Sequence, residues 1–102
     1  MYLLQLLLPL ADRRGARHAG SVFRTTAAEL TEKFGGLTAH TQAPAEGRWK
    51  PSRGRTVHDE VVIYEVMAEK LDCRWWRAYR RLLEGRFRQA ELVVRAFNVT
   101  LL

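Results

Sequence analysis

One cysteine, Cys73, stands among 102 residues. It cannot close an internal disulfide, and alone it supplies no thiolate set for zinc or an iron–sulfur cluster. A reducing, cytoplasmic setting fits such a chain. No apolar run approaches the ~20 residues that a transmembrane helix needs, so no membrane partner is expected. The longest such run, Tyr2 to Leu8, lacks a basic leader, and Arg13-Arg14 follow where small cleavage-site residues belong. It therefore reads as a strand and not as a signal peptide. Metal-ligand spacing is missing as well, because His18, His40 and His58 never share a helix face. They read as surface or turn histidines, and His58-Asp59-Glu60 as the charged start of a strand. No catalytic motif and no cofactor motif is present, so no cofactor is expected, and a non-enzymatic domain that binds a small molecule or a protein partner ranks above an enzyme.

Acidic residues are also scarce: 11 stand against 17 lysines and arginines, for a net charge of +6. That excess favours an anionic partner, nucleic acid among them, without establishing one. The hydrophobic fraction of 47% and charged fraction of 27% are those of a folded globular domain. The length allows a single domain spanning residues 1–102, with roughly two-thirds of its unfolded surface buried.

Along the chain, Tyr2 to Leu8, closed by Pro9, predicts a first strand buried on both faces. Leu10 to Gly20 has no apolar period and predicts an exposed, mobile basic loop. Ser21 is the expected N-cap of a first helix, with Phe23, Ala27, Leu30 and Phe34 on one face and Gly35-Gly36 as its stop. Leu37 to Gln42 predicts a short edge strand, and Ala43 to Arg55 a long loop. Thr56 to Glu69 predicts a third strand with a β-branched centre. Asp72 is the expected cap of a second helix whose apolar stripe includes Trp75, Trp76, Tyr79, Leu82, Leu83 and Phe87. Glu91 to Thr100 predicts the last strand.

The order β-α-β-β-α-β implies an α+β fold of the ferredoxin-like kind. Right-handed crossovers place both helices on one face of a four-stranded antiparallel sheet ordered 4-1-3-2. Strand alternation then splits the side chains. The even set, including Leu4, Leu6, Leu8, Val62, Tyr64 and Val66, is apolar or aromatic and should meet the helices, as should Leu92, Val94 and Ala96. The odd set carries one polar residue per strand, Gln5, Glu65 and Arg95, among apolar neighbours. That second face is too apolar for water, which predicts a homo-oligomer, most simply a two-fold dimer, through the open sheet face.

Gln5, Glu65 and Arg95 are therefore candidate interface or ligand residues. They form either an ion pair bridged by an amide that fixes register between subunits, or a polar anchor in a cavity between them. Arg48, Trp49 and Lys50 place an aromatic between two cations, a grip for an anionic small molecule or a contact with the sheet rim. Tyr64 is a further candidate, and with His40, Glu65 and Arg95 would serve a small dimeric α+β barrel enzyme. Nucleic acid would use loop cations such as Arg13, Arg14, Arg17 and Arg53, but the sheet lacks the exposed aromatic pairs of RNA-binding sheets. Cys73, without a placed histidine, reads as incidental. Arg74, Arg77, Arg80 and Arg81 are expected to cover the tryptophan at the helix edge.

The segments Phe34-Gly35-Gly36-Leu37-Thr38, Gly47-Arg48-Trp49, Val62-Ile63-Tyr64-Glu65-Val66 and Trp76-Arg77-Ala78-Tyr79 resemble a small uncharacterised bacterial protein family with a ferredoxin-like βαββαβ fold. Its marks are a Phe-Gly-Gly-x-Thr helix end and a Gly-x-Trp hairpin. The resemblance spans most of the chain and implies the fold. It implies no activity.

Overall fold

The computed structural model describes the backbone of residues 1–49 and 57–102, and the side chains of residues 1–41 and 60–102. Six elements follow in order: β1 (Tyr2–Pro9), α1 (Gly20–Phe34), β2 (Thr38–Trp49), β3 (Val57–Ala68), α2 (Cys73–Arg86) and β4 (Val93–Asn98). They form one four-stranded antiparallel sheet ordered β2-β3-β1-β4, which is the expected 4-1-3-2 order read from the other edge. β1 is central, and Gln5 stands opposite Glu65 of β3 on one side and Arg95 of β4 on the other.

The core lies between one sheet face and the two helices. Leu4, Leu6, Leu8, Val62, Tyr64 and Val66 are buried from the sheet. Leu30 of α1 and Trp76, Tyr79 and Leu83 of α2 close over them, with Phe87 just beyond α2. Consecutive helical residues point about 100° apart. Trp76 is therefore buried while Trp75 sits at the helix edge, stacked on Tyr79 with 4.8 Å between ring centroids. The cation covering Trp75 is Lys33 of α1, 4.5 Å from the ring centroid, and not one of the expected arginines. By the same rotation Leu83 takes the core position and Leu82 is 49% exposed, which removes Leu82 from the expected stripe.

Gly35 ends α1 in the left-handed region, φ 80°, where its N–H reaches the Thr31 carbonyl. Asp72 caps α2, its carboxylate accepting from the Trp75 N–H at 3.1 Å. Ser21 is not a cap: α1 begins at Gly20, and its first turn closes on the Ala19 carbonyl. Leu10 to Ala19 is tied down as well. Ala11 bridges Arg17, and the Asp12 carboxylate accepts from the N–H groups of Arg14 and Ala16.

The largest departure from expectation is β2, which runs on to Trp49 where a loop was expected from Ala43. Its pairing with β3 shifts register between His40 and Ala45, the stretch that holds Pro44. Proline donates nothing to a ladder and is accommodated at a bulge of an edge strand. The turn signals in that segment thus mark an irregular strand. The first strand is also less covered than expected, since Leu3, Gln5 and Leu7 are half-buried. Among the described residues, no helix is long and apolar enough to cross a membrane.

A polar pin joins the helices beside the core. Arg86 of α2 donates to Glu29 of α1 at 2.6 and 2.9 Å and to the Thr26 hydroxyl at 2.9 Å. Tyr79 donates to the same carboxylate at 2.9 Å. The Arg86 hydrogen bonds hold the Glu29 carboxyl below its ordinary range against the opposing effect of burial. Arg86→Ala should lower unfolding stability by about 1–2 kcal/mol, a charge-assisted pair discounted for the exposure of Glu29. Urea melts read this as a lower midpoint at unchanged slope; an unchanged midpoint would remove the pin from the account.

Candidate functional site

The face of the sheet away from the helices is built by the odd positions. Leu3, Leu7 and Ile63 are half-buried there, and Met67, Val93 and Phe97 are 42, 50 and 44% exposed. An open antiparallel face in water is ordinarily polar. This one is apolar above and below a single polar line.

That line crosses all four strands. Gln5 donates from Nε2 to Glu65 Oε2 at 2.6 Å, and Arg95 Nε donates to Gln5 Oε1 at 2.9 Å. His40 on β2 lies with Nε2 3.0 Å from Glu65 Oε1. The Gln5 amide thus serves both neighbours, giving a proton to the carboxylate and accepting one from the guanidinium. The Arg95 guanidinium also sits 5.7 Å from the Phe97 ring centroid on the same face. Hydrogen bonds from Gln5 first, then from His40, lower the Glu65 carboxyl below its ordinary range, while burial opposes them.

Tyr64 stands apart from this line. It is the neighbour of Glu65 in sequence, so alternation turns it to the other face. There it is buried with its hydroxyl donating to the Phe23 carbonyl at 3.3 Å, and burial pushes its phenol up. It is a core residue and is not available to a ligand on the open face. The side chains of Arg48 and Trp49, and all of Lys50, lie outside the described residues. His40, read from sequence as a surface or turn histidine, is the residue that extends the row. The β2–β3 register sets His40 opposite Ile63 and Thr38 opposite Glu65, and the imidazole reaches Glu65 along the diagonal.

A second feature lies at the β4 edge on the helix side. Its floor is Leu4, Val94 and Ala96, and its wall is Cys73, Trp76, Arg77 and Arg80 of α2; it is an open groove of about 210 Å³. Ala96 was expected under the helices but is exposed, because the helix layer reaches Leu92 and Val94 and stops short of the far end of this outer strand. Sequence shows Arg77 and Arg80 on one helix face with Cys73; which strand they overlook becomes visible only in three dimensions.

No family model matches the chain, and no curated protein matches it. Among solved structures, a phage SAM lyase in complex with S-methyl-5'-thioadenosine is similar, with a TM-score of 0.62 at 13% identity. The match covers 94% of this chain and 79% of that one. A phage SAM lyase in its apo state gives a TM-score of 0.54 at 17% identity, covering 94% of this chain and 78% of that one. Likeness at this identity establishes the fold that the two share.

The Glu65 carboxyl gives a pH prediction. Its folded-state value lies below the ordinary 4.5, so its contribution is fully present above that pH and is lost as pH falls through the depressed value. Stability measured by urea melts across this acid range should fall more gently in Glu65→Gln than in the unaltered protein. Parallel curves would mean that the row contributes nothing to folding.

Proposed function

We propose that this chain is a homo-oligomeric domain that binds a small molecule, its copies meeting through the open sheet face. The observation that carries the reading is the apolar odd face crossed by a row in which the Glu65 carboxylate and the Gln5 amide oxygen are already paired. Burying apolar surface contributes about 25 cal/mol per Å², whereas burying an unpaired polar group costs a few kcal/mol. The Gln5 amide oxygen has Arg95, and the Glu65 oxygens have Gln5 and His40. A second copy can therefore cover the Gln5 oxygen and the Glu65 carboxylate without stranding them, while the terminal nitrogens of Arg95 keep donors for the rim or for that copy. The same-face row then fixes how the copies sit, and a two-fold dimer is the simplest closed arrangement.

The small-molecule part of the reading draws support from the shared fold of a phage protein whose structure holds S-methyl-5'-thioadenosine. That compound is the first probe to use. The named activity of the same neighbour favours a second reading, a small α+β enzyme acting on SAM, which release of S-methyl-5'-thioadenosine from SAM would support. Nucleic acid ranks lower, because Phe97 is the one exposed phenylalanine, tyrosine or tryptophan ring on the open face among the described residues, and RNA-reading sheets stack several.

Light scattering after size exclusion should give a mass that is a multiple of 11.8 kDa at micromolar concentration. Leu7→Lys, which sets a charge between Ile63 and Val93, should return the monomer mass with an unchanged circular dichroism spectrum. A monomer from the unaltered chain contradicts the assembly. Isothermal titration with S-methyl-5'-thioadenosine should give a saturable heat, and no heat at millimolar ligand contradicts this choice of small molecule.

A further inference from the structure

The groove at the β4 edge has an apolar floor and a cationic wall. Cys73, Arg77 and Arg80 recur at i, i+4 and i+7, so the same face of α2 that overlooks the strand edge carries both arginines. Trp76 and Leu71 add apolar lining. Arg95 reaches the groove through its backbone, since its guanidinium is engaged with Gln5 on the opposite face.

The two wall arginines are short of acceptors. Among the described residues, neither guanidinium donates a hydrogen bond to a protein group, although those of Arg86 and Arg95 both do. Arg80 Nε is shielded from solvent with no hydrogen-bond partner. Arg80 is ion-paired along the helix with Glu84 Oε2 at 3.9 Å, a separation beyond hydrogen-bond reach. That oxygen already accepts from the Leu92 N–H at 3.1 Å. At the opposite, N-terminal end of α2, the Asp72 carboxylate accepts from the Trp75 N–H. Each guanidinium keeps planar, forked donor capacity suited to a carboxylate or phosphate.

We propose that the groove between α2 and β4 is a binding site for a small molecule that carries a phosphate or carboxylate on an apolar body. The anion meets Arg77 and Arg80, and the body lies on Leu4, Val94 and Ala96 beside Trp76. One copy of the chain supplies every one of these residues, so the site stands whether or not the open face assembles.

The test is a nitrogen-15 NMR titration of the full chain with phenyl phosphate, benzoate, inorganic phosphate and benzyl alcohol. Phenyl phosphate should shift the amides of Cys73, Arg77 and Ala96 and the Trp76 indole saturably, and added salt should weaken it. Benzoate should shift the same signals; inorganic phosphate and benzyl alcohol, each lacking one half of the recognised chemistry, should bind more weakly than phenyl phosphate. Arg77→Gln alone should weaken phenyl phosphate, and Arg77→Gln with Arg80→Gln should weaken it by about tenfold or more. Arg74→Gln, outside the groove lining, should change it little. Three results would each overturn the proposal: no saturable shift with either aryl anion, benzyl alcohol matching phenyl phosphate, or arginine variants binding like the unaltered protein. Shifts centred on Leu7 and Ile63 instead would place the ligand on the open face and equally refute this site.

Discussion

A β-strand sends successive side chains to opposite faces, and two helices on a four-stranded sheet can cover only one of them. Every larger feature of this molecule follows from that constraint acting on strands that are apolar on both sides. The face with Leu4, Leu6 and Leu8 is closed by α1 and α2, reinforced by the Arg86–Glu29 pin. The face with Leu3, Leu7 and Ile63 has no such cover among the described residues. The covered layer also stops before the far end of the outer strand, leaving the groove beneath Arg77 and Arg80.

The polar line through the open face is held by a neutral residue. Gln5 stands between an anion and a cation that antiparallel pairing brings to either side of it, and its amide presents the right group to each. A hydrophobic residue there would leave Glu65 and Arg95 on separate strands with nothing between them. An acid or a base would suit one neighbour and repel the other. The arrangement makes an otherwise apolar surface compatible with burial, and it carries a directional pattern that apolar contacts alone lack.

Much of this was legible in the sequence, for reasons that differ by element. The runs at Tyr2 to Leu8 and Val61 to Met67 are long enough to set strand and face together, and placing β1 between β3 and β4 put Gln5, Glu65 and Arg95 in one row. Gly35 and Asp72 announce their helix boundaries through local backbone chemistry. What escaped was set by tertiary context. Pro44 and Gly47 look like loop residues, yet an edge strand beside the twelve-residue β3 accommodates them through a register shift. His40 joins the row only once that register is known. Tyr64 is an apparent candidate beside Glu65, but alternation places it in the core. The arginines of α2 looked like a cover for tryptophan, whereas Lys33 fills that role and Arg77 and Arg80 face the sheet edge.

The central claim is that the open face of the sheet is covered by another copy of the chain. Methyl relaxation in the presence of an uncharged soluble paramagnetic agent tests it directly, with the exposed Leu82 as internal reference. The account predicts that the methyl groups of Leu7, Ile63 and Val93 are shielded from the agent while those of Leu82 are strongly broadened. Broadening of all four to a similar degree would show a face bathed in solvent and would contradict it.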